Sequence, residues 1–307
     1  MRILLTKYTI RGIFGLRPYT GMDMSRIPKA LSKRPAPNNQ KGMTQMNNHI
    51  WINDDWEFIP EFKNEILDEK CTLPMEKVRI PHTVAQTPFN YFDESIYQME
   101  SGYRRVIKIP AEWNERRIFV KFMAIAHGAV VYINGTQVAV HNCGYTAFET
   151  ELTKYIKFGE DNVLAVKVDS REDQNIPPFG HVIDYMTYGG IYREVSLIVT
   201  EKLHIAGVRV TSLIPKSTIL DGDKKEISFD GELNIDLTIS GDVEGDPETQ
   251  VRYTVLSHRN KTELLTRCES LQKSENFTLP NAKLWDVTFP QLYDLKVELI
   301  SQNTILD

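Results

Sequence analysis

The alternation of apolar and polar residues constrains the fold of this chain more than any other feature of its sequence. Leu233, Ile235, Leu237 and Ile239 are separated by single polar residues, a spacing that places all four on one face of an extended strand. The same period of two recurs in segments 117–122, 163–168, 195–199 and 295–299. The sequence therefore predicts β-strands that each have one buried face and one solvent-exposed face.

Turn residues separate these segments and indicate how they are connected. Asn134-Gly135 directly follows Ile133, and this dipeptide is typical of a two-residue β-hairpin turn. Because no amphipathic helical stripe of more than about three turns is present, we expect an all-β protein built from two sandwiches in series. The boundary between them is expected near residue 203, where one strand pattern ends and another begins.

Composition limits the class of protein. The chain has 307 residues, of which 41% are hydrophobic and 25% charged, as is typical of globular proteins. No run of about 18 apolar residues exists, so we expect no membrane partner. Cys71, Cys143 and Cys268 are widely separated and lack metal-ligand spacing, which predicts reduced thiols and a location in a bacterial cytoplasm.

The first 48 residues differ in charge from the rest of the chain. They contain nine Lys and Arg residues and one acidic residue, whereas the remainder has a net charge of −13. They have neither a sustained period nor the apolar core of a secretory signal, so we expect a basic, disordered leader over residues 1–48. An organellar transit peptide is the alternative, because such peptides are also rich in Arg and poor in acids. No nucleic-acid partner is expected.

Motifs of common catalytic and cofactor sites are absent from the sequence. It contains no G-x-G-x-x-G, no P-loop, no His-Glu-x-x-His, no Cys-x-x-Cys and no Gly-x-Ser-x-Gly. Its seven histidines are scattered, and each is expected to be a surface or core residue. The residues on their own predict a β-rich globular protein and assign it no reaction.

Six segments, in the same order, resemble the N-terminal, non-catalytic part of glycoside hydrolase family 2. They are residues 51–58 (WINDDWEF), 78–83 (VRIPHT), 102–110 (GYRRVIKIP), 132–148 (with YING and HNCGYTAF), 189–195 (GGIYREV) and 284–295 (LW, then PQLYDL). Each motif alone has low specificity. Their shared order over about 250 residues carries the resemblance.

This resemblance implies a jelly-roll sandwich of the sugar-binding type over residues 49–202 and an immunoglobulin-like sandwich over residues 203–307. The second sandwich is expected to lack its last strand, of which residues 304–307 form only the beginning. In the family a TIM barrel with two catalytic glutamates follows, and such a barrel needs about 250 residues. We therefore expect a fragment that is inactive alone because the catalytic glutamates are absent.

The resemblance also implies a function and partners. The full-length enzyme is expected to be a retaining exo-glycosidase that acts on terminal β-linked sugars, with a β-galactoside as substrate and a β-glucuronide as the alternative. A stand-alone carbohydrate-binding or protein-interaction module is the alternative function. Expected partners are a carbohydrate, the TIM-barrel domain and further copies of the full-length chain. The fragment requires no cofactor, whereas Na or Mg is expected in the full-length enzyme.

Two residues are implied to contact the sugar. In β-galactosidases of this family an Asn and an Asp from loops of the first sandwich hold the terminal sugar, and their counterparts are Asn90 and Asp184. Both side chains can form hydrogen bonds with hydroxyl groups, and Asp184 is also the candidate metal ligand, together with the barrel. The alternative is that Asp184 is a turn residue and Asn90 a loop cap. Stacking faces for the sugar ring are expected from Tyr91, Phe92, Tyr185 and Tyr188.

Two Asn-Glu pairs, Asn64-Glu65 and Asn114-Glu115, resemble the dipeptide that carries the catalytic acid of the family. Retaining hydrolysis needs two carboxylates about 5–5.5 Å apart, one of them with a raised pKa. Glu65 is expected in a charged loop or short helix, and Glu115 in a turn between strands. We therefore predict that neither glutamate is catalytic.

Other residues of the six segments are expected to be structural. Gly189 and Gly190 are predicted to allow a tight turn with positive φ, and Arg193 to form a buried ion pair. Trp285 and Tyr293 are predicted to pack in the core of the second sandwich or against the barrel, with Tyr293 a candidate for a tyrosine corner.

Overall fold

The computed structural model describes residues 3–5, 48–88, 90, 93–179, 187–213, 228–241, 248–285, 287 and 290–307. The chain divides into two compact units, Met46–Lys202 and Leu203–Asp307, the latter together with Met1–Gln45. Strands dominate both units, which confirms the predicted all-β class. In the described part of the chain, no helix is long and apolar enough to cross a membrane.

Strand β1 spans Ile3–Leu5. The strands of the first unit are β2 (Asn48–Trp51), β3 (Trp56–Ile59), β4 (Glu76–Val78), β5 (Glu100–Lys108), β6 (Arg117–Phe122), β7 (Gly128–Ile133), β8 (Thr136–Asn142), β9 (Phe148–Glu151), β10 (Asp161–Asp169) and β11 (Val195–Thr200). Those of the second unit are β12 (His204–Leu213), β13 (Ser228–Ser240), β14 (Gln250–Ser257), β15 (Glu263–Ser270), β16 (Ser274–Lys283), β17 (Tyr293–Ser301) and β18 (Thr304–Ile305). Short 3-10 helices span Asn64–Leu67, Glu94–Tyr97 and Ala111–Trp113.

The strands of the first unit form two antiparallel sheets, in the orders β4-β3-β5-β10-β7-β8 and β2-β11-β6-β9. Apolar side chains of both sheets form one core, in which Trp56, Tyr103, Val120 and Leu164 are completely buried. Two sheets that enclose a single core in this way form the jelly-roll sandwich that the resemblance implied.

The predicted alternation of buried and exposed residues is correct for β6 and wrong for β10. In β6 every second residue is buried. In β10, Ala165 points away from the main core and is nevertheless buried, because it packs against Ile59 and Ile66 in a second, smaller cluster. A segment that includes the 3-10 helix at Ile66 therefore covers the outer face of the sheet, which the period of two does not reveal.

The predicted hairpin at Asn134-Gly135 joins β7 and β8. Both residues have positive φ, 49° and 81°, as a type I′ turn requires. The Asn134 side chain also accepts a hydrogen bond from the Val163 N–H at 2.9 Å, which ties the turn to β10.

The second unit also contains two sheets. One has the order β12-β13-β16, and the other has the order β1-β17-β14-β15, with β18 also paired to β17. Leu233, Ile235, Tyr253 and Leu295 lie in the core that the two sheets share. This unit is the expected immunoglobulin-like sandwich.

Strand β1 lies within residues 1–48, for which the sequence predicts a disordered leader. Ile3–Leu5 pair in parallel with Tyr293–Leu295 of β17. A physical reason is that Ile is common in strands, and that the unpaired N–H and C=O groups at a strand edge can bond to an added strand. Strand β2 starts at Asn48, and residues 6–47 lie outside the described part of the chain.

Tyr293 is buried at the start of β17, as predicted, and its hydroxyl group accepts a hydrogen bond from the Lys283 N–H at 2.6 Å. This bond from a strand-start tyrosine to upstream backbone is the contact of a tyrosine corner. Trp285 is 42% exposed and therefore lies outside the core, while its alternative place against the barrel stays a prediction.

Asp294, the next residue, is a buried carboxylate with a lysine and a histidine as partners. Its side chain is 1% exposed; His258 Nδ1 lies 2.8 Å from one carboxylate oxygen, and the Lys261 ammonium group contacts the other. Burial raises the pKa of Asp294, but the hydrogen bonds from Lys261 and His258 outweigh burial, and the pKa is lowered. These two contacts attach the turn after β14 to β17.

The starts of β5 and β7 and the ends of β8 and β10 lie together at one end of the first unit, which we call the loop end. Asp169 pairs with both Glu100 and Gly128, and Gly128 pairs with Asn142. The loops that leave these strands are therefore neighbours, although they come from four separate regions of the sequence.

The segment Gly189–Ile191 is inserted between two others at the loop end. On one side, the His82 N–H donates to the Ile191 carbonyl at 2.9 Å, and the Val84 N–H donates to the Gly189 carbonyl at 3.1 Å. On the other side, Gly190 and Ala126 exchange backbone hydrogen bonds of 3.0 and 3.1 Å. The segment thus joins two otherwise separate stretches of backbone.

Both glycines of this segment are required, for different reasons. Gly190 has φ of +109°, and a Cβ there would lie 2.6 Å from the Tyr103 hydroxyl oxygen and 2.9 Å from the His82 carbonyl oxygen. At Gly189 a Cβ would lie 2.4 Å from Cβ of Ser170. The predicted positive φ is therefore correct for Gly190, whereas Gly189 is needed for close packing.

We predict that Gly190→Ala destabilises the first unit by about 3 kcal/mol or more, because the added methyl group meets backbone and hydroxyl atoms in a left-handed conformation. Gly135→Ala is the matched control: Gly135 also has positive φ, but its Cβ would meet nothing within 4 Å. The control is expected to lose only about 1 kcal/mol. Urea unfolding followed by amide exchange in β5 and β10 measures both, and equal losses would contradict the packing argument.

We predict that Asp294→Asn destabilises the second unit by about 1.5–3 kcal/mol at neutral pH, because it removes charged hydrogen bonds to a buried group. The folded pKa of Asp294 is lowered, so this stability is present above the ordinary value of 3.8 and is lost as the pH falls through the folded pKa. The difference in unfolding free energy between the parent chain and Asp294→Asn should therefore shrink below about pH 4.

Asp236→Asn is the control for this change, because Asp236 forms an exposed pair with Arg209 at 2.7 Å in the same unit. It should cost clearly less stability than Asp294→Asn, because solvent screens an exposed pair. Amide exchange in β14 and β17 across a urea series reports the second unit specifically. A loss for Asp294→Asn that stayed constant down to pH 2 would refute the assignment to the ionised carboxylate.

Candidate functional site

Asn90, one of the two residues implied to bind a sugar, lies in an exposed loop at the loop end. The loop starts after Val84, whose N–H is bonded to Gly189, and it ends at the 3-10 helix Glu94–Tyr97. Asp93 caps that helix by accepting a hydrogen bond from the Ser95 N–H at 2.9 Å. The loop is therefore anchored on both sides of Asn90.

Ser170, the residue after β10, makes the contacts at the far end of the loop. Its side chain is fully buried, and its hydroxyl group donates to the Tyr97 carbonyl oxygen at 2.5 Å. The same oxygen accepts from the Met99 N–H at 3.3 Å. Because Ser170 also packs against Gly189, one side chain contacts both the end of the Asn90 loop and the Gly189–Ile191 segment.

Tyr97 and Thr187 belong one to each of the same two regions. Both side chains are buried, at 1% and 6% exposure, and neither hydroxyl group has a hydrogen bond of good geometry with the described residues. Burial raises the pKa of Tyr97, and the nearby Thr187 hydroxyl acts in the opposite direction. Burial is the larger of the two effects, so the pKa of Tyr97 is raised.

Charged residues line the rim of the loop end. Glu100 contacts Lys167 at 2.8 Å and Arg171 at 3.0 Å, and Arg171 also contacts Asp169 at 2.7 Å. Burial raises the pKa of Asp169, but the hydrogen bonds from Arg171 have the larger combined effect. The pKa is therefore lowered, and the carboxylate is held ionised. These pairs are largely exposed, and they orient the strand ends more than they stabilise the fold.

Two histidines at the loop end are held neutral. His82 Nδ1 lies 2.8 Å from the Tyr103 hydroxyl oxygen, and burial lowers the pKa of His82. His127 is 3% exposed, its ring nitrogens have no hydrogen-bond partner among the described residues, and burial lowers its pKa as well. Neutral imidazoles fit these positions because a buried cation without a paired charge is unfavourable.

Several residues expected at the sugar site lie outside the described residues: Asp184, Tyr91, Phe92 and Tyr185. Tyr188 is described and is 50% exposed, so its ring is accessible. No group of three or more His, Cys, Asp or Glu side chains within the described part of the chain is arranged to hold a metal ion. The role of Asp184 as a sugar or metal ligand stays a prediction.

Arg193 differs from its predicted role in a buried ion pair. It is exposed, and its guanidinium carbon lies 5.4 Å from the centre of the Tyr192 ring. The Arg193 side chain extends over this aromatic face in a cation–π contact, which leaves the charge in water.

Glu65 and Glu115 are placed as the sequence predicted. Glu65 is exposed in the 3-10 helix Asn64–Leu67. Glu115 lies between the 3-10 helix Ala111–Trp113 and β6, with its side chain 78% exposed and in contact with Lys202. The hydrogen bond from Lys202 lowers the pKa of Glu115, which is opposite to the shift that a general acid needs.

The residues that organise the loop end were not all recognisable from the sequence. His82, Tyr103 and Gly190 belong to the motif segments, but no role was predicted for His82 or Tyr103. No sequence pattern marked Ser170 or His127, because a serine after a strand and an isolated histidine are common in structural positions. Only the three-dimensional contacts single them out.

Two models of one protein family match consecutive parts of the chain. The sugar-binding domain of glycosyl hydrolases family 2 matches residues 75–201, and a second model, described as glycosyl hydrolases family 2, matches residues 204–307.

Relatives with described activities show the same likeness. The chain is 34% identical over 263 residues to a β-galactosidase of Thermoanaerobacter pseudethanolicus, which covers 83% of this chain and 34% of that protein. It is 26% identical over 283 residues to a β-glucuronidase of Formosa agariphila, with 83% and 28% covered. The crystal structure of a Bacteroides uniformis β-glucuronidase superposes with a TM-score of 0.70 at 25% identity, covering 85% of this chain and 31% of that one.

The chain thus spans about a third of the length of these relatives. The two family models match adjacent sandwiches whose folds and order agree with those that the sequence motifs implied. The chain belongs to glycosyl hydrolases family 2.

Proposed function

We propose that this chain is the N-terminal, non-catalytic part of a retaining exo-glycosidase that acts on terminal β-galactosides. In this proposal the two sandwiches support a catalytic barrel, and the loop end contributes Asn90 and Asp184 to the sugar site. A β-glucuronide is the second candidate substrate, because one relative that matches 83% of the chain is named a β-glucuronidase.

One observation carries the proposal. Val84 and Tyr97, which flank the Asn90 loop, are held beside the Gly189–Ile191 segment, which follows Asp184 closely in sequence. Val84 bonds to Gly189 on one side of Asn90, and Ser170 contacts both Tyr97 and Gly189 on the other. A sugar site needs polar groups held in fixed positions, and anchored loops on a rigid sandwich provide this.

The charges of the described carboxylates support the proposal that this chain alone is inactive. Each of those whose pKa is shifted has a lowered pKa. They are Glu57, Asp93, Glu115, Glu151, Asp169, Asp236 and Asp294. A glycosidase acid must stay protonated near neutral pH, which requires the opposite shift.

We predict that the 307-residue chain does not hydrolyse p-nitrophenyl β-D-galactoside or β-D-glucuronide above the uncatalysed rate. Release of p-nitrophenol measures this directly. The variants Glu65→Gln and Glu115→Gln serve as controls and should behave like the parent chain. Hydrolysis that one of these variants abolishes would show that the chain contains its own catalytic acid.

The proposal for the whole enzyme is tested by reading the gene beyond codon 307 and expressing the continuous frame. We expect a further barrel-length region and a product that hydrolyses aryl β-galactosides. A stop codon at that point would refute the proposed function for this chain.

In that product, Asn90→Ala should raise KM for the galactoside about 3–10-fold, because one neutral hydrogen bond is lost. Asp184→Asn should raise it about 10–100-fold, because charged hydrogen bonds are stronger. Asn114→Ala removes another exposed amide side chain, beyond the 3-10 helix Ala111–Trp113, and should leave KM unchanged. If Asn90→Ala behaves like this control, Asn90 is not a sugar ligand.

A further inference from the structure

We propose that strand β15 joins two copies of this chain by pairing antiparallel with its own counterpart across a two-fold axis at Cys268. The proposal concerns the second unit alone and does not depend on the glycosidase function. It rests on the seven residues 265–271, which read Leu-Thr-Arg-Cys-Glu-Ser-Leu.

Strand β15 is an edge strand. It is the last strand of its sheet and, among the described residues, it pairs only with β14. Most of its residues are exposed, so the edge is accessible from the solvent. An open strand edge presents unpaired N–H and C=O groups that can bond to another strand. This edge can therefore accept a strand from a second molecule.

The irregular part of β15 lies outside the proposed segment. The pairing with β14 skips Leu264, which is the extra residue of a β-bulge between Glu263 and Leu265. Bulges of this kind commonly protect edge strands from pairing with other chains. From Leu265 to Ser270 the pairing with β14 is continuous, so the bulge does not protect this part of the edge.

The segment has an inner face and an outer face. Leu265 and Leu271 pack against the apolar core of the second unit. Arg267 and Glu269 lie opposite buried residues of β14 and therefore share this inner face. Cys268, like the hydroxyl residues two positions before and after it, lies on the outer face because side chains alternate along a strand.

Antiparallel self-pairing centred on Cys268 gives complementary pairs along the inner face. Leu265 lies opposite Leu271 of the second copy, so apolar surface at the edges of the two cores is buried together. Arg267 lies opposite Glu269 of the second copy, and the symmetry produces this pair twice. On the outer face, a threonine and a serine lie opposite each other, a combination that also stabilises strand pairs.

Other registers lose this complementarity. An axis at Arg267 places two arginines opposite each other and Leu265 opposite Glu269. An axis at Glu269 places two glutamates opposite each other. Like charges that are directly opposite destabilise a strand pair. The sequence of the segment therefore selects the register with Cys268 on the axis.

Cys268 reports this register. Directly opposite residues of antiparallel strands have Cα atoms about 4.5 or 5.5 Å apart, depending on whether they exchange hydrogen bonds. Both separations lie within the range of about 4.4–6.8 Å that a disulfide spans. Cys268 is exposed and is not bonded to another cysteine of the chain. Its thiol group can thus be crosslinked to its counterpart, although the pairing itself needs no disulfide.

The first test is sedimentation velocity of the 307-residue chain over a series of concentrations. We expect a monomer of 35.4 kDa in equilibrium with a species of twice that mass. Arg267→Glu should raise the dissociation constant about tenfold or more, because like charges then face each other in both symmetry-related pairs. Combining Arg267→Glu with Glu269→Arg restores opposite charges and should return the constant to within about threefold of the parent value.

Arg259→Glu is the matched control for Arg267→Glu. It makes the same change of charge at an exposed turn residue of the same unit, outside the proposed segment. Its dissociation constant should stay within about threefold of the parent value. A chain that remains monomeric throughout the series, or a dimer that Arg267→Glu leaves intact, would overturn the inference.

The second test is crosslinking with diamide, which takes one hydrogen from each of two thiols, joins them as a disulfide and is itself reduced to a hydrazine. The parent chain, Cys71→Ser and Cys143→Ser should form a covalent dimer on a non-reducing gel, whereas Cys268→Ser should not. This test decides even if Arg267→Glu does not fold. No dimer of the parent chain, or a dimer that persists in Cys268→Ser, contradicts the proposed axis. Neither test uses a sugar, so its result is separate from that of the proposed function.

Discussion

The close approach of Gly190 to the Tyr103 hydroxyl group is the contact on which the rest of the loop end depends. A side chain at position 190 would displace that hydroxyl group, and with it the hydrogen bond to His82. The backbone of the same glycine exchanges hydrogen bonds with Ala126. The motif segments that contain His82, Tyr103 and Gly190 are up to about 100 residues apart in sequence. They pack together because position 190 has no side chain.

The strand pattern was predictable because a strand with one solvent-exposed face has a buried residue at every second position. β6 and β13 show this alternation. It fails where something packs on the outer face, as with Ala165 of β10, since the covering segment around Ile66 is distant in sequence and leaves no local periodicity. The resemblance supplied what periodicity could not, namely that the strands assemble into a jelly-roll and an immunoglobulin-like sandwich.

The candidate site was predictable only in part, and the reason is physical. Motif residues such as Tyr103, Gly190 and Tyr293 owe their identity to packing and backbone geometry, so a resemblance locates them but does not separate structural from functional roles. Ser170 carries no motif at all. Its importance arises from three contacts with regions that precede and follow it by 19 to about 73 residues, and no local pattern encodes such contacts.

In the proposed function, the described carboxylates and histidines of the loop end contribute geometry rather than proton transfer. The carboxylates are held ionised, as Asp169 is by Arg171, and the histidines are held neutral by burial, as His82 and His127 are. Groups locked in one protonation state are poor proton carriers, but they keep their hydrogen-bonding roles constant over a wide pH range. A displacement of about 1 Å in a substrate-positioning group can cost about a hundredfold in rate. In the proposed function, the contribution of the first sandwich to a catalytic domain is therefore the fixed placement of the backbone around Gly190 at the loop end.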